Sequence, residues 1–305
     1  MTYLLAENTD PAPAGERFRA LVERPGILQL PGAYNGLSAL QARRAGFEGI
    51  YLSGAAMSAA MGLPDLGILT IDDVCFHIRQ IARVSQLPIL ADGDTGFGEA
   101  LNVMQMVRAF EEAGAGAVQI EDQLLPKKCG HLNDKKLAPA ADMAAKVAAA
   151  RKARRHLYIV ARTDALEREG IDGAIARAKL YVEAGADAIF PEALRNADDF
   201  VRFSTAVKVP LLANMTEFGR TPLMTAAQFE QLGFAMVIWP VSALRMAAKA
   251  HEELYATLRN DGWVKPVLER MQTRAELYET IGYHDYEELD TTIARSLIPG
   301  DPQQG

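Results

Sequence analysis

The sequence is poor in cysteine: two in 305 residues, Cys75 and Cys129. Two thiols so far apart make no disulfide framework, and a reducing cytoplasm is the expected compartment. The five histidines, at 77, 131, 156, 251 and 284, never stand beside cysteine at zinc spacing, which argues against structural zinc. Positive charge is also in deficit, with 32 Lys and Arg against 39 Asp and Glu, a formal net charge of -7. A general nucleic-acid binder needs a basic surface, so no nucleic-acid partner is expected. No apolar run reaches membrane-spanning length, and the N-terminal "MTYLLAENTDPAPAGERF" has no basic segment followed by an apolar one. Neither a membrane partner nor a secretory signal is expected. No G-x-G-x-x-G follows the first apolar run, which weakens a dinucleotide-binding reading, and "GDTGFG" is only a partial glycine pattern.

Short β-branched runs do recur: "GILQLPG", "GIYLSG", "LPILADGD", "GAVQIED", "LYIVARTD", "DAIFPEA", "VPLLANM" and "AMVIWP". Ala-rich amphipathic runs separate most of them, and two of these end in Glu-Ala-Gly-Ala, at 112–115 and 183–186, a helix stop leading into a strand. About eight strand–helix units predict an α/β protein, a (β/α)8 TIM-type barrel, with a doubly wound open sheet as the alternative. Residues 1–305 read as a single barrel domain. The charged helical pattern at about 260–298 forms a C-terminal extension within it, more than a last barrel helix needs and suited to packing on a neighbouring subunit. The tail after Pro299 is expected to be disordered.

Polar residues gather where the apolar runs end: Tyr51-Leu52-Ser53-Gly54, Asp92-Gly93-Asp94, Glu121-Asp122, Arg162-Thr163-Asp164, Pro191-Glu192 and Asn214-Met215-Thr216. One such residue is a cap or a turn. Six strands ending this way predict one site at the C-terminal mouth of a barrel. Asp92, Asp94 and Glu121 supply hard oxygen ligands of the kind Mg²⁺ prefers, although Asp94 alone could equally cap the helix starting near Glu99. Arg162, Arg245 and Arg274 could grip substrate carboxylates through bidentate forks, where surface ion pairing is the ordinary alternative. Cys75, on an apolar helical stripe, reads as core. Cys129, in "KKCGH", sits among polar residues whose cations favour a thiolate; nucleophile and general acid both stay open, and His131 is too near in sequence to serve as a papain-like base.

Taken together, "IYLSG", "GLPDLGI", "DGDTGFG", "IEDQ", "KKCGH", "ARTDA", "FPEA", "LANMTEFG" and "MQTR" resemble, in order and over nearly the whole chain, the isocitrate lyase / phosphoenolpyruvate mutase superfamily, in its Cys-bearing lyase branch. The set is most similar to the members that cleave 2-methylisocitrate to pyruvate and succinate in the methylcitrate cycle of propionate catabolism. That resemblance implies a barrel whose last helix is exchanged between subunits, a homotetramer, and Mg²⁺ (or Mn²⁺) as cofactor. It implies Asp92 and Asp94 at the metal, with Asp65 and Glu121 in its outer shell. It places Ser53, Gly54 and Ala55 at the substrate carboxylate, and Gly130, His131, Arg162, Glu192, Asn214, Met215, Thr216, Arg245 and Arg274 at further substrate contacts. Cys129 takes the acid position, and Tyr51, helped by Arg162, is the expected base. The chain departs from the family's frequent Gly-Gly-Gly at Gly54-Ala55-Ala56 and from its frequent Asp-Ala-Asp at Asp92-Gly93-Asp94. The remaining readings are a related lyase acting on 2,3-dimethylmalate or another substituted malate, and a non-catalytic barrel that binds dicarboxylates.

Overall fold

A computed structural model describes residues 2–6, 10, 12–128, 130 and 134–294. Cys129 and His131, both expected at the site, and the tail after Pro299 lie outside the described residues.

All eight apolar runs are strands: β1 (Leu28–Pro31), β2 (Ile50–Leu52), β3 (Ile89–Asp92), β4 (Ala117–Glu121), β5 (Tyr158–Thr163), β6 (Ala188–Pro191), β7 (Leu212–Asn214) and β8 (Met236–Trp239). They pair in parallel in two sheets, β1-β8-β7 and β2-β3-β4-β5-β6. Isolated parallel bridges, Gly32 to Tyr51 and Ile189 to Leu211, stand where one sheet meets the other. The arrangement is α/β, of TIM-barrel type.

Helices fill the intervals: α1 (Ala14–Glu23), α2 (Gly36–Arg44), α3 (Gly54–Ala60), α4 (Ile71–Ser85), α5 (Ala100–Ala113), α6 (Ala140–Ala153), α7 (Leu166–Ala184), α8 (Ala197–Ala206), α9 (Ala226–Gln231) and α10 (Ser242–Asp261). The repeated Glu-Ala-Gly-Ala stops α5 and α7 in the same way. Gly114 and Gly185 take left-handed φ values of 105° and 112°, which an L side chain resists. Helix α5 begins after Glu99, whose backbone N–H donates to Asn102 Oδ1, so Asp94 is not the cap of this helix.

The period of two along each strand divides the core. One set of side chains packs against the helices, Cys75 among them. The other set forms a single interior cluster drawn from all eight strands, including Leu30, Tyr51, Leu90, Ala117, Val160, Phe190, Leu212 and Ile238, with Phe18 of α1. The same alternation, continued to the strand ends, turns Asp92, Glu121 and Arg162 inward.

By contact density the chain divides into two units, Pro11–Ala250 and Met1–Asp10 with His251–Gly305. The second holds the end of α10, a 3-10 turn at Lys265–Arg270, α11 (Arg274–Ile281) and α12 (Tyr283–Ala294).

The start of β5, the strand that carries Arg162, is held by one buried carboxylate. Glu111 of α5 accepts from the backbone N–H groups of Arg155, His156 and Leu157, at 2.7–2.9 Å for Oε1. Three orphaned donors would follow its removal, and each unsatisfied group costs about 1–3 kcal/mol. Glu111→Ala is therefore expected to lower the unfolding free energy by several times more than Glu112→Ala on the exposed face. Urea melts of the two variants check this, and equal midpoints would refute it.

Candidate active site

The strand register assembles the site. Asp92 stands beside Gln119, Glu121 beside Arg162, and Arg162 beside Phe190. Asp92, Glu121, Arg162 and Phe190, together with Tyr51, Ser53, Ala55, Asp65, Lys127, Gly130, Glu192, Asn214, Thr216 and Arg245, line a cleft of about 550 Å³, its open mouth included.

Asp92 has four donors within hydrogen-bond reach. Its Oδ1 accepts from the Asp94 N–H at 3.1 Å and from Gln119 Nε2 at 3.2 Å; its Oδ2 accepts from the Gly54 N–H at 3.0 Å and the Tyr51 hydroxyl at 3.3 Å. A Cβ placed on Gly54 would lie 3.0 Å from Asp92 Oδ2 and 3.2 Å from Asp94 Oδ1, so the two carboxylates converge on one point beside this loop. Asp94 is buried, and that burial, then the neighbouring Asp92 charge, raises its pKa to about 6. The Lys127 ammonium offsets part of this charge, 2.6 Å from Asp94 Oδ1 and 2.5 Å from Asp65 Oδ1. Burial alone would lower the pKa of this lysine, but Glu121, Asp92, Asp94 and Asp65 raise it.

Among the described residues no three His, Cys, Asp or Glu side chains stand together as a metal-binding group. A pair of converging carboxylates nevertheless suits Mg²⁺, which is commonly held by one or two carboxylates and keeps waters for substrate oxygens. Glu121 Oε1, buried and lacking a hydrogen-bond donor, is a further oxygen at the cleft. The donor set thus fits a hard divalent cation.

Arg162 lies across the cleft, buried. Nε and Nη2 meet Asp164 at 2.9 and 3.0 Å, Nη1 stands 3.3 Å from Glu121 and 3.4 Å from Glu192, and the guanidinium lies 5.1 Å from the Phe190 ring centre. Burial would pull its pKa down; Asp164, then Glu121 and Glu192, hold it well above its usual value. Asn214 Nδ2 donates to Glu192 Oε2 at 3.2 Å. Thr216 and Arg245 reach the cleft from the β7 and β8 ends, with Arg245 Nη1 2.7 Å from Glu217. Ser53 Oγ accepts from the Ala56 N–H and caps α3. Met215 is buried. Arg274 is the first residue of α11, in the other unit.

The Tyr51 hydroxyl donates to Gln119 Oε1 at 2.7 Å, and burial, then the Asp92 charge, pushes the phenol well above its ordinary pKa against the opposing pull of Arg162. Lys127 stands in the loop whose lysines the sequence marks for charge balance, whereas Gln119 and Lys135 carry no individual signal. Gln119 sits within an apolar run, and the lysines sit in a polar loop, where nothing distinguishes a buried side chain from a solvated one.

The glycine of Asp92-Gly93-Asp94 also has a local cause. A Cβ there would stand 2.7 Å from the Gln119 carbonyl, 2.8 Å from a Val118 methyl and 3.0 Å from the Met106 sulfur.

Comparisons with known proteins place these residues in context. The family model described as phosphoenolpyruvate phosphomutase matches residues 18–259. The 2-methylisocitrate lyase of Bacillus subtilis (strain 168) is 51% identical over 301 residues, covering 99% of this chain and 100% of that protein. A crystal structure of 2,3-dimethylmalate lyase, described as a PEP mutase/isocitrate lyase superfamily member, superimposes with a TM-score of 0.87 at 32% identity, covering 95% of this chain and 99% of its own. A phosphonopyruvate hydrolase in complex with oxalate and Mg²⁺ gives 0.83 at 32% identity, covering 94% and 100%.

The raised pKa of Asp94 has a stability consequence. Between about pH 4 and pH 6 the native state holds a proton that the unfolded chain releases, so the contribution of Asp94 to stability falls as pH rises through that window. In excess chelator, Asp94→Asn should gain thermal stability relative to the wild type on going from pH 4 to pH 7. A melting-temperature difference that stays flat with pH would contradict this.

Proposed function

Because this chain belongs to the phosphoenolpyruvate mutase / isocitrate lyase superfamily, we propose that the cleft is the active site of a carbon–carbon lyase that cleaves 2-methylisocitrate to pyruvate and succinate. The observation that carries the reading is the pairing, across one cleft, of a two-carboxylate cation site with a buried arginine, in a chain half identical to a 2-methylisocitrate lyase over its whole length. A non-catalytic dicarboxylate binder would not need Asp92 and Asp94 desolvated side by side. The more distant 32% identity to 2,3-dimethylmalate lyase leaves the substituted malates as the lesser fit.

The substrate is a polycarboxylate, and cations must meet it. Arg162 and Arg245 supply them from the cleft wall, and the Ser53-Gly54-Ala55 turn supplies polar backbone. Asn214, Met215, Thr216, Glu192, Gly130 and His131 complete the substrate contacts. Arg162 keeps a fixed position because three carboxylates hold it, so little reorganisation accompanies binding. Asp92 and Asp94 hold the divalent cation, Mg²⁺ with Mn²⁺ as a substitute, and Asp65 and Glu121 stand behind them. When bound there, Mg²⁺ neutralises charge on the 2-oxo-acid half.

In the reaction the C2 hydroxyl gives its proton to Tyr51, which Arg162 would favour as the phenolate, the pyruvate carbonyl forms, and the C2–C3 bond breaks with its electron pair on C3. Burial and the Asp92 charge oppose that phenolate, and a cation held by Asp92 would relieve the second of these. The succinate fragment then takes a proton at that carbon. Cys129 is the donor, preceded in sequence by Lys127 and Lys128.

The two sheets, joined by the bridges at Gly32–Tyr51 and Ile189–Leu211, read as one closed barrel, and their shared interior cluster supports this. Exposed apolar side chains in the helical unit, Trp263, Leu268, Ile281 and Tyr283 among them, support an exchange of that region between subunits of a homotetramer. No helix among the described residues is long and apolar enough to cross a membrane. A cytoplasmic enzyme of propionate catabolism accords with this.

Chelation is expected to abolish turnover, and Asp92→Ala to reproduce the loss with the fold retained by circular dichroism. Full activity in excess chelator would remove the metal assignment. A panel of 2-hydroxy tri- and dicarboxylates, with pyruvate or glyoxylate release measured, should give the highest kcat/KM for 2-methylisocitrate; preference for a substituted malate would reassign the substrate. Cys129→Ser should lower kcat by about 10²–10⁴-fold with KM little changed, as loss of a general acid predicts. Near-normal kcat in that variant would exclude the acid role, whereas Cys75→Ser should affect stability alone.

A further inference from the structure

The segment between β4 and α6 carries Cys129, and its two ends are closed by pairing. Gln123 bridges Leu137 in antiparallel fashion, and the Leu124 N–H donates to the Lys136 carbonyl at 2.7 Å. Within this segment two buried polar side chains do work that the reaction does not call for. The Gln123 amide meets the backbone of Lys128 twice: Nε2 donates to the carbonyl at 2.8 Å, and Oε1 accepts from the N–H at 2.9 Å. The side chain takes the place of a strand partner. Lys135, 3% exposed, directs its ammonium to the Gly130 carbonyl and to Asp164 Oδ1, the latter at 3.2 Å. That same Asp164 oxygen accepts from Arg162 Nη2 at 3.0 Å.

Residue 130 abuts the site: a Cβ there would stand 2.3 Å from Glu192 Cγ and 2.6 Å from Arg162 Nη2, so the backbone lies directly on the Arg162–Glu192 pair. Burying an ammonium is costly unless it is paired and hydrogen-bonded. Among the described residues Lys135 meets that condition through Asp164 and the Gly130 carbonyl. The backbone on both sides of position 129 is therefore gripped by side chains rooted elsewhere, one at the β4 end and one on the carboxylate that holds Arg162.

We infer that Gln123 and Lys135 are positioning residues for the proposed chemistry of this cleft: they clasp the backbone of Lys128 and Gly130, the chain neighbours of Cys129, and tie it to the carboxylate that holds Arg162. The inference rests on the reading of Cys129 as the proton donor. Lys135 further couples that placement to the substrate-binding arginine, because both cations share Asp164.

The test uses Gln123→Leu, Lys135→Met and Lys135→Arg in the full-length enzyme with Mg²⁺. Iodoacetamide labelling of Cys129 is followed by peptide mass spectrometry, beside steady-state kinetics and Mg²⁺ titration calorimetry. Loss of either clasp should speed Cys129 labelling at least about threefold and lower kcat on the order of 10–100-fold, the scale of a small misplacement, with KM and Mg²⁺ affinity nearly constant. Lys135→Arg should restore most of kcat. Wild-type labelling and kcat in both apolar variants would overturn the inference, as would equal losses in Lys135→Arg and Lys135→Met. Should the apolar variants fail to fold, Gln123→Asn decides: it keeps the polarity but is too short to meet both backbone groups, so unchanged labelling and kcat would overturn the inference, and faster labelling with lowered kcat would support it. A Cys129→Ser enzyme of normal kcat would remove the acid role and leave the labelling result, which reports the clasp alone, to be judged separately.

Discussion

The burial of one guanidinium among three carboxylates is the constraint around which the cleft is organised. Arg162 is buried with Asp164 on its fork and with Glu121 and Glu192 on its remaining nitrogen. None of these charges is tolerable alone at that depth. Breaking a buried pair by removing one partner typically costs about 3–5 kcal/mol. The four groups are therefore placed by mutual necessity, and they come from β4, β5 and the turn after β6. Their interdependence fixes the ends of these strands more firmly than loop packing would, and it leaves a cation oriented toward the cleft.

Charge balance extends from there in two directions. Toward β3, Asp92 and Asp94 stand side by side, and burial, then the Asp92 charge, raises the pKa of Asp94. Lys127 answers it, as a cation on the protein's own chain set among the carboxylates assigned to the metal. Toward the segment after β4, Lys135 joins Asp164 to the Gly130 carbonyl. A second buried network lies behind β5, where Asp122 accepts from the Asp164 N–H at 2.8 Å and from the Thr163 and Tyr181 hydroxyls, also at 2.8 Å. Asp164 is thus held at its backbone by Asp122 and at its side chain by Arg162 and Lys135. A carboxylate anchored on both sides orients a guanidinium with little freedom left to lose on substrate binding.

Tyr51 sits between opposing influences. Desolvation and the adjacent Asp92 charge favour the neutral phenol, and Arg162 opposes them. Its hydroxyl meets Gln119 Oε1, a partner brought from β4 by packing. The departure Asp92-Gly93-Asp94 is likewise a matter of packing, since the space a Cβ would take is filled by Met106, Val118 and the backbone at Gln119.

Local pattern alone determined much of this protein. The eight apolar runs, the glycine stops at 114 and 185, and the polar residues at the strand ends are all properties of neighbours in the chain, and each was legible as such. So was the family, because "DGDTGFG", "KKCGH" and "ARTDA" stand in a fixed order. The strand-end rule located Asp92, Glu121, Arg162, Glu192 and Asn214, since alternation along a strand requires only a count of residues. What tertiary structure decided is every property that depends on distance through space: the double grip of Gln123 on Lys128, the burial of Lys127 and Lys135 in a loop whose composition suggests solvent, and Gln119 between Tyr51 and Asp92. A lysine is exposed or buried according to the charges within a few ångströms of it. Those charges come from strands tens of residues away in the chain, so only the parallel register that brings the strands together could settle the matter.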